Sequence, residues 1–135
     1  MTVTDAPKFL LKPSRFPEVD AIREATLREL IDRLRELEGD NLLQVVLYGS
    51  VARGDAREDS DTDVFILLRD TNGDSMQNII ERIIDVTVDI DMYTGQCRTH
   101  ITPDVVNLKE YNDKNRYEGF YINLKKDGVT LYDAV

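Results

Sequence analysis

With a single cysteine, Cys97, this 135-residue chain has no internal disulfide and no thiol pair for a zinc site, the usage of an intracellular protein. Basic residues are scarce. Seventeen Lys and Arg stand against 26 Asp and Glu, for a formal net charge of −9 and a pI near 4.6. That balance argues against a broad basic face for gripping nucleic acid. No apolar run approaches the ~20 residues that cross a bilayer, and the opening MTVTDAPKFLLKPSRFP lacks the apolar stretch of a secretory leader. The expectation is a cytoplasmic protein with no membrane partner. Repeats and low-complexity linkers are also missing. The length and the 41% hydrophobic content suit one domain, read here as an arm over residues 1–16 and a single domain over 17–135.

What the chain does have is aspartate, 17 against nine Glu. Asp is the poorer helix former and favours caps, turns and sites, so its placement along the chain is informative. From Pro17 to about residue 38, Val19, Ile22, Thr26, Leu30, Leu34 and Leu37 recur at helical spacing, with Pro17 at a first-turn position and Gly39 at the stop. Leu42 to Tyr48 and Val64 to Leu68 are short apolar runs that read as buried strands. Between them and a third run, Met76, Ile79, Ile80, Ile83 and Ile84 mark an amphipathic helix capped by Asp74 or Ser75. Val86 to Tyr93 alternates, which predicts a strand with Val86, Val88, Ile90 and Met92 on a core face and Asp89 and Asp91 on the other. A polar helical region from about Pro103 to Lys126 and a last strand over VTLY complete the pattern. The fold class expected is α/β (α+β): a small mixed sheet of four or five strands with helices mainly on one face.

The stretch that carries chemistry is Gly49 to Asp63, GSVARGDAREDSDTD. Asp61 and Asp63 are two apart, so on a strand their carboxylates emerge on one side, close enough to share a cation. Hard oxygens in such a set suit Mg²⁺ with waters and nucleotide phosphates as its other ligands. Gly49 lets the backbone approach a phosphate, and Ser50 adds a hydroxyl at the start of a short helix. Such a site works by alignment and charge neutralisation, as phosphoryl or nucleotidyl transfer requires. Asp89 and Asp91 are candidates for a further carboxylate.

Gly-Ser, ten residues, then D-x-D resembles the signature of nucleotidyltransferases of the DNA polymerase β superfamily. The fuller string GSxARGDAxxxSDxD is similar to their minimal nucleotidyltransferase branch. Tyr93-Thr94 resembles that family's D-x-x-x-Y-T ending, and FYINLKKDGVTLYD its closing helix and strand, so the likeness spans about residues 42–133. The loop between Thr94 and Thr102, which holds the lone His and Cys, departs from it. The resemblance implies that Gly49 and Ser50 hold phosphates and that Asp61 and Asp63 bind Mg²⁺, with two ions expected and ATP as substrate. The third metal ligand and general base is Asp89 on one alignment and Asp91 on another, Asp89 being preferred. The branch further implies AMP transfer to a hydroxyl, on a protein, by the antitoxin of a toxin–antitoxin pair whose toxin is a HEPN-domain ribonuclease. Homo- or hetero-oligomers are both open.

Other readings stay beside this one. A silent domain that only sequesters its partner would keep the fold but not need the carboxylates. An aminoglycoside-type enzyme would need an acceptor pocket that 135 residues leave little room to build. The guanidinium forks of Arg53 and Arg57 suit phosphate oxygens at a nucleotide site, and equally suit ion pairs with Asp55, Glu58 or Asp59. His100 stands alone in sequence and reads as a surface residue.

Overall fold

The structure, a computed structural model, describes residues 11–134, and the side chains of 114–117 are not described; most of the expected arm, residues 1–10, lies outside the described residues. Residues 11–16 lead into the first helix, where the Ser14 backbone N–H and hydroxyl both donate to Asp20, at 2.8 and 2.7 Å. Helix α1 spans Pro17–Glu38, with Pro17 in its first turn and Gly39 at φ +53 closing it. Val19, Arg23, Thr26, Leu27, Leu30, Ile31 and Leu34 make its buried stripe.

After a single 3₁₀ turn, β1 (Leu42–Tyr48) runs into a short helix α2 (Gly49–Arg53), and β2 (Thr62–Leu68) follows the loop that comes next. Both strands fall where the apolar runs place them. Helix α3 (Met76–Met92) then leads to β3 (Ile101–Asn107), α4 (Leu108–Asn112), α5 (Lys114–Asp127) and β4 (Val129–Asp133). The sheet order is β3-β2-β1-β4. β1 pairs antiparallel with β2 and β4, whereas β2 and β3 are parallel, joined by the α3 crossover. This is the mixed four-stranded α/β sheet expected from the pattern, but with helices on both of its faces and not mainly on one. Its alternating side chains split into two cores. Val45, Leu47, Val64 and Ile66 pack under α1 and α3. Leu43, Val46, Phe65, Leu67 and Val106 pack on the other face against Tyr121 and Leu124 of α5.

Two further expectations are corrected. Val86–Tyr93 is not a strand, because α3 continues to Met92. Its buried residues are Ile79, Ile83, Thr87 and Ile90 at helical spacing, while Val88 and Met92 of the supposed core face are 51% and 52% exposed. No Gly or Pro interrupts residues 76–92, so nothing stops the helix that Met76 to Ile84 begins. The polar helical region also starts later than Pro103, since Ile101–Asn107 forms β3. Pro103 is tolerated there because β3 is an edge strand, paired only to β2.

Candidate active site

Strand pairing gathers the chemistry at one end of the sheet. Tyr48, the last residue of β1, lies opposite Asp63 of β2, and Asp63 pairs in turn with Thr102 of β3. Phe65 faces the α4–α5 side, so Asp63, two residues earlier, projects to that side as well. Asp61 lies just before β2, and its charge acts on Asp63, which sets it beside that row. In the parallel β2–β3 pair Phe65 sits beside Asp104, and Val106, two residues beyond Asp104, shares Phe65's core. Three carboxylates thus occupy one face: Asp61, Asp63 and Asp104.

Their electrostatics agree with that placement. Burial raises the Asp63 carboxyl above its ordinary range, and the negative charges of Asp61 and Asp104 push it further. Arg53 and His100 pull the other way. Tyr48 donates its hydroxyl to Asp104 Oδ2 at 3.2 Å. Burial and the adjacent Asp104 and Asp63 charges raise the phenol's pKa, so it stays a donor. His100 Nδ1 lies 2.9 Å from Asp61 Oδ1.

Gly49 has a steric task in this arrangement. Its φ is +78, in the left-handed region, and a Cβ there would run into the Asp63 carboxylate. The glycine of the Gly-Ser pair therefore makes room for the second aspartate of the D-x-D. Ser50 follows it in α2, its carbonyl accepting the N–H groups of Gly54 (3.0 Å) and Asp55 (3.1 Å) to close the turn. Arg53 pairs with Asp55 at 3.3 Å and Asp127 at 3.7 Å, so the alternative of an ion pair with Asp55 is realised while its charge still reaches Asp63.

Asp89 and Asp91 stand elsewhere, a consequence of the helix that replaces the expected strand. Asp89 Oδ2 accepts from Arg33 Nη1 of α1 at 2.9 Å. Asp91 uses both oxygens, accepting the Thr99 hydroxyl at 2.8 Å and the Ile101 N–H at 2.9 Å. Neither is among the charges that act on Asp63. The carboxylate beside the D-x-D is instead Asp104, which sequence reasoning missed. Its signal is the β-branched run Ile101, Thr102, Val105, Val106 around Pro103, which marks an edge strand.

Asp61, Asp63 and Asp104 form an all-oxygen donor set of the hardness that a divalent cation such as Mg²⁺ takes, and the repulsion that raises Asp63 is what such an ion relieves. Among the described residues no three acidic, His or Cys side chains converge on one point as oriented here. Asp61 is turned to His100 and Asp104 to Tyr48. In donor chemistry these residues fit a hard divalent cation, with Asp104 held by Tyr48 beside the Asp61–Asp63 pair.

Residues 27–127 match the model of the nucleotidyltransferase domain. None of the curated proteins matches the chain. Among solved structures, the chain is similar to one from Sulfolobus solfataricus assigned as a nucleotidyltransferase, with 19% identity, a TM-score of 0.59, and 87% of this chain and 86% of that one covered. It is also similar to a mutant of the MntA–HpeT toxin–antitoxin (17% identity, TM-score 0.52, 79% and 73% covered) and to a toxin–antitoxin with AMP-PNP (18%, 0.50, 78% and 73%). At such identities the likeness speaks for the fold. The family model covers well over half of the sequence and includes the Gly-Ser turn, the D-x-D and β3, and the chain belongs to the nucleotidyltransferase domain family.

Proposed function

We propose that this nucleotidyltransferase domain moves AMP from ATP onto a hydroxyl of a partner protein, as the antitoxin of a pair whose toxin is a HEPN-family ribonuclease. The observation that carries the catalytic part is the row Asp61, Asp63, Asp104 on one face of the sheet, beside the Gly49-Ser50 turn. In the transfer, the acceptor oxygen forms a bond to the α-phosphorus as the bond to pyrophosphate breaks. Asp61 and Asp63 are the residues that would hold Mg²⁺, with Asp104 on their flank. An ion held there would supply neutralisation of the triphosphate and a more acidic acceptor hydroxyl. Asp104 takes the acceptor's proton, the role expected of Asp89 or Asp91 from sequence. Gly49 brings the backbone close to the phosphates, the Ser50 hydroxyl donates to them, and Arg53 supplies a guanidinium. Tyr48 holds Asp104 through its hydroxyl.

The partner reading is supported by two similar structures that are toxin–antitoxins, one of them with AMP-PNP, and by a net charge of −9 that suits a basic partner. Transfer is tested with α-labelled ATP, Mg²⁺ and the co-expressed product of the neighbouring open reading frame. The wild type labels that protein, and Asp61→Asn and Asp63→Asn do not while still co-purifying with it. Full labelling by either variant overturns the site. Absence of labelling by the wild type, with the complex intact, points to the silent sequestering domain.

A further inference from the structure

Among the described residues Arg23 is the only charged side chain that is fully buried, at 0% exposure. It projects from α1 toward the loop between α2 and β2. Its Nη2 lies 2.8 Å from the carbonyl oxygen of Arg57, 3.3 Å from that of Glu58 and 3.2 Å from that of Ser60. The nearest carboxylate, Asp20, is 3.9 Å from Nη1 and is itself engaged by Ser14. Nε and Nη1 have no hydrogen-bond partner among the described residues. Burial pulls the pKa of the guanidinium below the usual arginine range, against the attraction of Asp20 and Asp59.

As a stabilising device this is a poor bargain, because a charge so incompletely paired is costly to bury and an apolar side chain of similar volume commonly serves a core as well or better. What an apolar side chain lacks is a donor such as Nη2, which gathers three carbonyls of the single Arg57–Ser60 turn at one point. The last carbonyl it binds is that of Ser60, and the next residue is Asp61. The loop's own bonds, Arg57 N–H to Ser60 Oγ at 2.7 Å and Ser60 N–H to the Arg57 carbonyl at 3.2 Å, close the turn but do not tie it to the body of the domain.

We propose that Arg23 is a positioning residue for the transfer site: by fixing the Arg57–Ser60 turn to α1 it sets the angle at which Asp61 enters the cation-binding row. The inference rests on the reading of Asp61 and Asp63 as cation ligands. Residues that orient ligands from behind change metal affinity by about 10- to 100-fold, so the effect belongs in cation affinity as well as in rate.

The test is calorimetric titration of the full chain with Mn²⁺ alone, alongside thermal melts. Arg23→Met is expected to fold and to weaken Mn²⁺ binding about tenfold. Arg23→Lys, which keeps the charge and can reach one carbonyl, is expected to fall between it and the wild type. Wild-type affinity in a folded Arg23→Met overturns the proposal. If that variant does not fold, Arg23→Lys decides alone, and unchanged affinity in it is equally fatal. Should neither fold, Arg23 holds the domain and not the loop, and the proposal fails. Asp63→Asn is the control that separates the two readings. Wild-type Mn²⁺ binding by that variant removes the cation site itself, whereas lost binding there with normal binding in both Arg23 variants removes only the role given to Arg23.

Discussion

The Tyr48 hydroxyl donates to Asp104 Oδ2 across 3.2 Å, tying the end of β1 to the middle of β3 with β2 between them. The same ring meets Phe120 of α5 edge-on, with centroids 5.5 Å apart. Tyr48→Phe keeps that ring contact and deletes only the hydrogen bond. It is expected to lower kcat for AMP transfer about tenfold through loss of Asp104's orientation, with Tm nearly unchanged because the bond is exposed. Steady-state kinetics beside a melting curve distinguish this from a packing defect.

Asp104, Asp89 and Asp91 should separate cleanly. Asp104→Asn removes the proposed base and is expected to cost ~10²–10⁴ in rate. Asp89→Asn loses a surface ion pair with Arg33, worth at most ~1 kcal/mol, and should transfer AMP normally. Asp91→Asn disturbs the bonds to Thr99 and the Ile101 N–H, so it should destabilise by about 1–3 kcal/mol with less effect on rate than Asp104→Asn. An inactive, fully folded Asp89→Asn would return the third carboxylate to α3.

Asp63 gives a pH signature. Its carboxyl is raised in the folded protein, first by burial and then by Asp61 and Asp104. The folded state therefore binds the proton more tightly than the unfolded one. The associated stability is fully present below the ordinary carboxylate pKa and is lost as pH rises through the raised folded value. At neutral pH in chelator, Asp63→Asn is expected to melt about 2–5 °C above the wild type. The gap should close in acid below the ordinary carboxylate pKa, and Mg²⁺ should raise the Tm of the wild type but not that of the variant. A variant less stable than the wild type at neutral pH contradicts the repulsion inferred here.

Gly49→Ala combines two penalties, a left-handed φ of +78 and a Cβ that meets the Asp63 carboxylate. The expected loss is about 1–2 kcal/mol of stability, measured by denaturant titration. Activity should fall ~10²-fold, since a displacement of about 1 Å at the reacting centre has that effect. Retention of full activity would show that Asp63 does not need the room that Gly49 leaves.

Much of this was legible without coordinates. α1 has one apolar stripe bounded by Pro17 and Gly39, and β1, β2 and β4 are short runs with breakers beside them, so local chemistry defines them. The spacing from Gly49-Ser50 to Asp61 and Asp63 was also readable, because it lies in one contiguous segment. Val86 to Met92 was not. Its alternation satisfies a period of two, yet Thr87 and Ile90 also continue the helical series from Ile79 and Ile83, and only packing under the sheet chooses between these periods. His100 looked solitary because Asp61, its partner at 2.9 Å, is 39 positions away.

The sequence by itself determined the family pattern, the two aspartates that open β2 and the glycine that must precede them, all properties of neighbouring residues. Tertiary structure decided which carboxylate completes the row. Asp104 reaches that place through the parallel register that sets it beside Phe65, while Asp89 and Asp91 turn away on a helix. Such pairing is fixed by burying both faces of a shared sheet, a free energy spread over residues far apart in the chain, which no local spacing encodes.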